Sequence, residues 1–256
     1  MDHAGLLSIA VEAAQSAASV LSEHWSTDAG ICGGVGKDIK TQADLAAEQC
    51  LLEHLRPTGL SILSEEQGAD DSFDLDAGGW IIDPLDGTMN FTRGIPITAV
   101  SVGFWQHGQP VLGVVVDIDR QLTFQGIVGQ GATCQGKPIG VSDVQDPSDA
   151  ILATGFPRAR AYDRTSLQAS LERIQSFKKV RMVGSATMSL AWTACGMMDL
   201  YHEEDIFLWD VAAGLALVRA AGGRAHWTPP STDWKTTVYA GTAGLVHDAV
   251  SVNPDC

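Results

Sequence analysis

The stretch W-I-I-D-P-L-D-G-T-M-N-F at residues 80–91 leaves the backbone few choices. Its apolar run stops at Asp83, Pro84 predicts a turn, and Gly87-Thr88 opens what reads as a helix. A strand must then deliver Asp83 and Asp86 to one strand-to-helix corner. Two carboxylates there pack a core poorly, because unpaired charge is costly away from water. They do suit divalent cations facing a phosphate. Taken alone, the motif is equally a turn in which Asp86 caps the helix.

Helical and strand periods alternate around this corner. Leu6, Leu7, Ile9, Ala10, Ala13, Ala14, Ala17, Val20 and Leu21 predict a helix over 4–25 with a small-residue face. Gly30, Gly33, Gly34 and Gly36 break the chain before a second helix near 43–56, which Pro57-Thr58-Gly59 ends. A strand at Leu60–Leu63 runs into Ser64-Glu65-Glu66, and an acidic loop spans 68–79. Strands follow at 97–105, 111–116, 122–127 and near Cys134, the first two joined as an antiparallel hairpin by Gln106-His107-Gly108-Gln109. Strands at 151–155, 180–183 and 199–203 then alternate with helices at 163–177, 186–196 and 210–221. Strands near 224–227 and 237–240 and a helix near 244–250 close the chain. This order predicts a layered α/β (α+β) fold with a subdomain junction near 140–150, dividing 1–145 from 146–256.

Composition narrows the function classes. With 31 acidic against 16 basic side chains and a net charge of −15, the chain lacks the basic face a general nucleic-acid binder needs. Cys32, Cys50, Cys134, Cys195 and Cys256 are scattered and odd in number. That predicts reduced thiols in a cytoplasmic protein, with neither a disulfide framework nor a zinc site. Met1-Asp2-His3-Ala4 shows no signal-peptide pattern, and no run reaches the roughly 18 apolar residues a membrane span requires. The expectation is a soluble intracellular protein.

A second acidic pair changes the weight of the first. Glu65 and Glu66 also end an apolar strand, and one of them is free to lie on the surface. Carboxylates converging from two strand ends would resist joint ionisation, and a hard cation removes that conflict. Oxygen donors without histidine favour Mg²⁺. Asp210, before an Ala/Gly-rich helical run, and Asp44, early in the second helix, each read alone as a cap or as dipole compensation. Gly36-Lys37 fails as a P-loop, since Ile31 and Asp38 stand at required positions; Asp74, Asp76 and Gly79 fail as a calcium loop, with Leu85 in place of the closing Glu. His202 reads as a packed or solvated side chain and not a ligand, and the role of Lys37 stays open.

Together, T-x-x-D at 41–44, E-E at 65–66, the 80–91 motif and W-D at 209–210 resemble the inositol monophosphatase family from about Lys37 to Gly223. Ala99–Gly103 and Arg181–Ala186 add to the likeness. The resemblance implies a five-layer αβαβα sandwich, a homodimer and lithium sensitivity. It assigns a first Mg²⁺ to Glu65, Asp83 and the Leu85 carbonyl, and a second to Asp83, Asp86 and Asp210, with Glu65 also helping to hold a third. Thr88 and Asp44 match the pair that orients and deprotonates the attacking water, with Glu65 in the same catalytic group. Gly87 and Thr88 would cradle the phosphate. Gly184, Ser185, Ala186, Glu203 and Asp210 match the substrate wall, with Glu204 and Asp205 leaving a one-residue ambiguity around Glu203.

The implied reaction is metal-assisted hydrolysis of a small polyol or sugar phosphate without a phosphoenzyme, inositol 1-phosphate leading. Fructose 1,6-bisphosphatase, histidinol-phosphate phosphatase and nucleotide 3′-phosphatase remain alternatives within the fold. Met89-Asn90-Phe91 resembles the inositol type, where nucleotide-type relatives carry Lys-Glu-Phe. A regulatory binding partner is the alternative from another class.

Overall fold

The computed structural model describes residues 2–25, 31–33, 40–156 and 163–252. Met1, Gly30, Gly34, Gly36, Lys37, Asp38 and Cys256, singled out above, lie outside them. The first helix, α1 (His3–Trp25), presents Ala10, Ala13, Ala14, Ala17 and Leu21 as a fully buried stripe. Such small residues let it lie close against its neighbours. A short ladder of β1 (Ile31–Gly33) and β2 (Lys40–Thr41) leads into α2 (Gln42–Leu55), which packs on α1 through Ala43, Ala47, Leu51 and Leu55. Each buried leucine contributes roughly 1.5–3 kcal/mol. Contrary to the sequence expectation, α1 has the length and mean hydropathy of a membrane span over His3–His24, although its small face is buried on α2 and the sheet behind.

That sheet has eight strands. β3 (Ser61–Ser64), β4 (Gly68–Ala69) and β5 (Gly79–Asp86) form one end, with β3 and β5 parallel. After a short helix, α3 (Thr88–Arg93), the antiparallel strands β6 (Ala99–Gln106), β7 (Gln109–Asp117), β8 (Leu122–Ile127), β9 (Gly131–Cys134) and β10 (Lys137–Ile139) complete it. The β6–β7 hairpin turns at His107-Gly108, both with positive φ, as its sequence predicts.

The second half forms a five-stranded sheet in the order β12-β11-β13-β15-β14. β11 (Ile151–Thr154) is followed by α4 (Arg164–Ser176), β12 (Lys179–Arg181) and α5 (Ala186–Ala194). Next come β13 (Leu200–Phe207), α6 (Leu208–Ala220), β14 (Arg224–Trp227), β15 (Lys235–Gly241) and α7 (Ala243–Val252). The central core joins Leu63, Ile81 and Val115 of the first sheet to Met188, Leu215 and Val238 of the second half. Helices α5 and α6 thus lie between two sheets, while α1 and α2 cover the outer face of one and α7 packs on the other. The layers run α, β, α, β, α, as expected.

Close approach seats α6. A Cβ on Gly113 of β7 would stand 2.1 Å from the Ala213 carbonyl oxygen, so only glycine lets the helix come this near.

Two strand ends differ from the sequence reading. β5 does not stop at Asp83: it pairs Asp83 with Ser101 and Asp86 with Ala99, taking three steps against two. The extra residue makes a bulge, and this is where Pro84 can sit in a strand without leaving a ladder bond unmade. β13 likewise runs past Glu203 through a bulge, pairing Glu203 with Val238 and Ile206 with Thr236, with Asp205 at φ 54°. Both bulges face the same cavity.

Candidate active site

The β5 bulge carries the most buried acid of the site. Asp83 is 1% exposed; its Oδ1 accepts the Leu85 N–H at 2.9 Å, while its Oδ2 is buried without a donor. One oxygen each from Glu65, Asp83 and Asp210 lie within 4.8 Å of one another. Burial first, then the charges of Glu65, Asp86 and Asp210, push the Asp83 carboxyl well above the usual carboxylate range. An all-oxygen cluster with a buried carboxylate oxygen lacking a donor fits a hard divalent cation.

Asp86 does not cap the following helix. Gly87 is the N-cap of α3, at φ 89°, a conformation open to glycine. The Asp86 Oδ2 instead accepts Ser185 Oγ at 2.5 Å and the Thr187 N–H at 2.7 Å, from the start of α5. Burial raises its carboxyl and these bonds oppose the rise. Ser185, expected on the substrate wall, therefore also holds Asp86, while its Oγ caps α5 by accepting the Met188 N–H at 3.0 Å.

Asp210 lies inside the first turn of α6, whose N-cap is Phe207 with no side-chain cap bond. The helix start is tied down from two sides: Ser101 Oγ donates to the Trp209 carbonyl at 3.3 Å and Thr187 Oγ1 to the Asp210 carbonyl at 3.0 Å. Thr187 thus serves both Asp86 and Asp210, a link between residues far apart in sequence.

Asp44 sits at the third position of α2 in a capping box with Thr41. Its Oδ2 accepts Thr41 N–H at 2.7 Å and Thr41 Oγ1 at 2.5 Å. Its Oδ1 lies 3.3 Å from Thr88 Oγ1, which is also 3.1 Å from the Leu85 carbonyl. One hydroxyl proton can serve only one of these acceptors at a time. Burial is the main cause that raises the Asp44 carboxyl to about 6, with the Thr41 bonds pulling down and Glu66 pushing up. Glu66, the second acid of its pair, acts here at a distance.

Glu65, Asp83, Leu85, Asp86, Ser185 and Asp210 line a cavity of about 280 Å³ that also takes in Gly87, Thr88, Met89, Gly184, Ala186 and Glu203; Asp44 is not part of the lining and meets it through Thr88. Its other wall includes Thr154, Gly155, Phe156, Ser189 and Ile206, which the sequence analysis did not single out. Glu203 is buried, with its Oε2 accepting Tyr201 OH at 3.0 Å. A Cβ on Gly155 would stand 2.5 Å from that oxygen, so Gly155 leaves room for the carboxylate. Asn90 Nδ2 donates to the carbonyls of Ile97 and Val183, both at 2.9 Å, fixing the turn before Gly184.

Glu204 points to the other face of β13, where Arg173 Nη1 lies 3.2 Å from it. Of its two expected settings, packed or solvated, His202 takes the packed one, stacked on Tyr239 with Nδ1 2.9 Å from the Val238 carbonyl. Of the acids around the one-residue ambiguity, Glu203 lines the cavity, as does Asp210, and Glu204 and Asp205 do not.

The sequence model of the inositol monophosphatase family matches residues 2–249. Inositol monophosphatase 3 of Solanum lycopersicum is 37% identical over 250 residues, covering 94% of this chain and 92% of that protein. Nus factor SuhB of Escherichia coli (strain K12) is 37% identical over 223 residues, covering 85% of this chain and 83% of its own length. The inositol monophosphatase structure from Anabaena (Nostoc) superposes with a TM-score of 0.83 at 33% identity, covering 97% of this chain and 94% of that one.

Proposed function

The chain belongs to the inositol monophosphatase family, a family of phosphomonoesterases, and from that premise we propose a Mg²⁺-dependent hydrolase of small polyol or sugar phosphates, with inositol 1-phosphate the leading substrate. The observation that carries this reading is the convergence of Glu65, Asp83 and Asp210 beside the Asp44–Thr88 pair. Glu65, Asp83 and the Leu85 carbonyl would hold one Mg²⁺, and Asp83, Asp86 and Asp210 a second, with Glu65 contributing to a third. Bound there, Mg²⁺ would neutralise phosphoryl charge and acidify a water.

The protein's own groups do the rest. Thr88 Oγ1 aims the attacking water, and Asp44, with its pKa raised towards neutrality, takes the proton. Glu65 assists in the same catalytic group. The N–H groups of Gly87 and Thr88 receive phosphate oxygens. Glu203, Asp210 and the 184–186 segment contact the alcohol. The halves 1–145 and 146–256 act as one catalytic unit, because each supplies walls of the same cavity. The reading extends to a cytoplasmic homodimer inhibited by Li⁺; the free thiols of Cys50, Cys134 and Cys195 accord with a reducing compartment.

A substrate panel ranked by kcat/KM tests the assignment: inositol 1-phosphate, fructose 1,6-bisphosphate, histidinol phosphate and a nucleoside 3′-phosphate, each with Mg²⁺ and with EDTA. Inositol 1-phosphate should lead and EDTA should abolish turnover. Preference for another ester would move the substrate assignment, and turnover surviving EDTA would remove the metal from it. The likeness to proteins named Nus factor SuhB favours one second reading, a regulatory binding partner that retains phosphatase activity. Only weak, unselective turnover across the panel, with Mg²⁺ present, would favour it.

A further inference from the structure

Helix α2 carries a second acid aimed inward. Glu48 lies one turn after Asp44, on the same helix face, and is only 2% exposed. A carboxylate this buried requires donors, and all three that reach it come from one turn. Ser64 Oγ donates to Oε1 at 2.5 Å, the Gln67 N–H to Oε1 at 3.2 Å, and Gln67 Nε2 to Oε2 at 3.0 Å. Ser64 immediately precedes Glu65, and Gln67 follows it by two residues. Glu48 therefore grips the β3–β4 turn on both sides of Glu65.

We propose that Glu48 is a positioning residue that sets the Glu65 carboxylate at the acidic cluster. The inference rests on the reading of Glu65 as a metal ligand. One helix then fixes two parts of the site in register: Asp44 against Thr88 at its first turn, and the Glu65 turn about 6 Å further along its axis. Bonds behind a metal ligand orient it and raise affinity without touching the ion.

The test is calorimetric titration of Mg²⁺ into the metal-stripped protein, with kcat, KM for inositol 1-phosphate at saturating Mg²⁺, and Tm measured alongside. Glu48→Gln keeps the shape but turns an amide N–H₂ towards the Gln67 amide. It should weaken Mg²⁺ binding about 10- to 100-fold and lower kcat, with KM unchanged. Adding Gln67→Glu exchanges acid and amide, restores the three bonds and should return Mg²⁺ affinity to within about threefold of wild type. A lower Tm with wild-type Mg²⁺ affinity would overturn the proposal and leave a purely structural brace. If Glu48→Gln does not fold, Gln67→Met, which cuts the amide bond from the exposed side, is read in the same way. Glu65→Gln separates the two levels. If it loses Mg²⁺ and the Glu48 variant does not, this inference alone fails; if Glu65→Gln binds Mg²⁺ like wild type, the metal reading fails and takes this inference with it.

Discussion

The two walls of the cavity are built differently. On the acidic side, Asp83 and Asp86, and Asp44 next to the lining residue Thr88, each accept hydrogen bonds from backbone N–H groups, and hydroxyls from Thr41 and Ser185 add to them. Those groups sit on β5, α2 and α5, elements anchored in the core. On the opposite side, Glu203 accepts the Tyr201 hydroxyl beside a bulge, and the rim carries Phe156 and Met89, 52% and 48% exposed. Rigid elements fix positions more closely than bulges and rims do. On the proposed function, the phosphate chemistry falls to the stitched wall and the choice of alcohol to the loose one. It also explains why the reaction class is easier to read than the substrate.

Substitutions on each wall should separate these roles. The largest effect belongs to the stitched wall: Asp44→Asn should lower kcat by about 10²–10⁴ with KM little changed, the loss expected for a general base. A loss under about fivefold would remove Asp44 from proton transfer. On the loose wall, Gly155→Ala forces the Glu203 carboxylate to shift. KM for inositol 1-phosphate should rise about tenfold, as for a lost polar contact, while the inhibition constant of inorganic phosphate stays put. Equal changes in both constants would mean that the walls do not act separately.

The smallest effect is a pH shift. Asp44 titrates at about 6, so kcat should fall as pH drops through that value. Thr41→Val removes a bond that favours the ionised form, so the midpoint should move upward by about one unit or less, whereas Thr41→Ser should keep it. A downward shift would contradict the account. The sign for stability is the reverse of that for rate. A folded pKa above 3.8 means the native state binds the proton more tightly. The stability this gives is complete below the unfolded value and is lost as pH rises through about 6. The metal-free protein should therefore melt higher at pH 5 than at pH 7, as scanning calorimetry would show.

Much of this was legible in the sequence, for identifiable reasons. The long helices and the β6–β7 hairpin follow from apolar period and turn chemistry that act locally. The β5 extension was not legible, since proline ordinarily ends a strand and only the partner ladder shows where a missing N–H does no harm. The capping alternatives for Asp86 and Asp210 were open for the same reason: the groups that decide them, Ser185, Thr187 and Ser101, lie 23 to 108 residues away. Glu48 left no signal, because a glutamate within a helix looks solvated until the turn it grips is in place. Gly155 and Tyr201 were equally silent, since their meaning is the space and the bond they give Glu203.

Asp83 is the residue on which the acidic cluster turns, and its substitution by asparagine tests the account most directly. Wild type and Asp83→Asn would be titrated with Mg²⁺ by calorimetry and assayed for phosphate release from inositol 1-phosphate, with circular dichroism confirming the fold. The account predicts saturable Mg²⁺ binding in the wild type, none in Asp83→Asn, and phosphate release reduced by at least about a thousandfold. Asp83→Asn retaining wild-type Mg²⁺ affinity, or more than about a tenth of the activity, would contradict it.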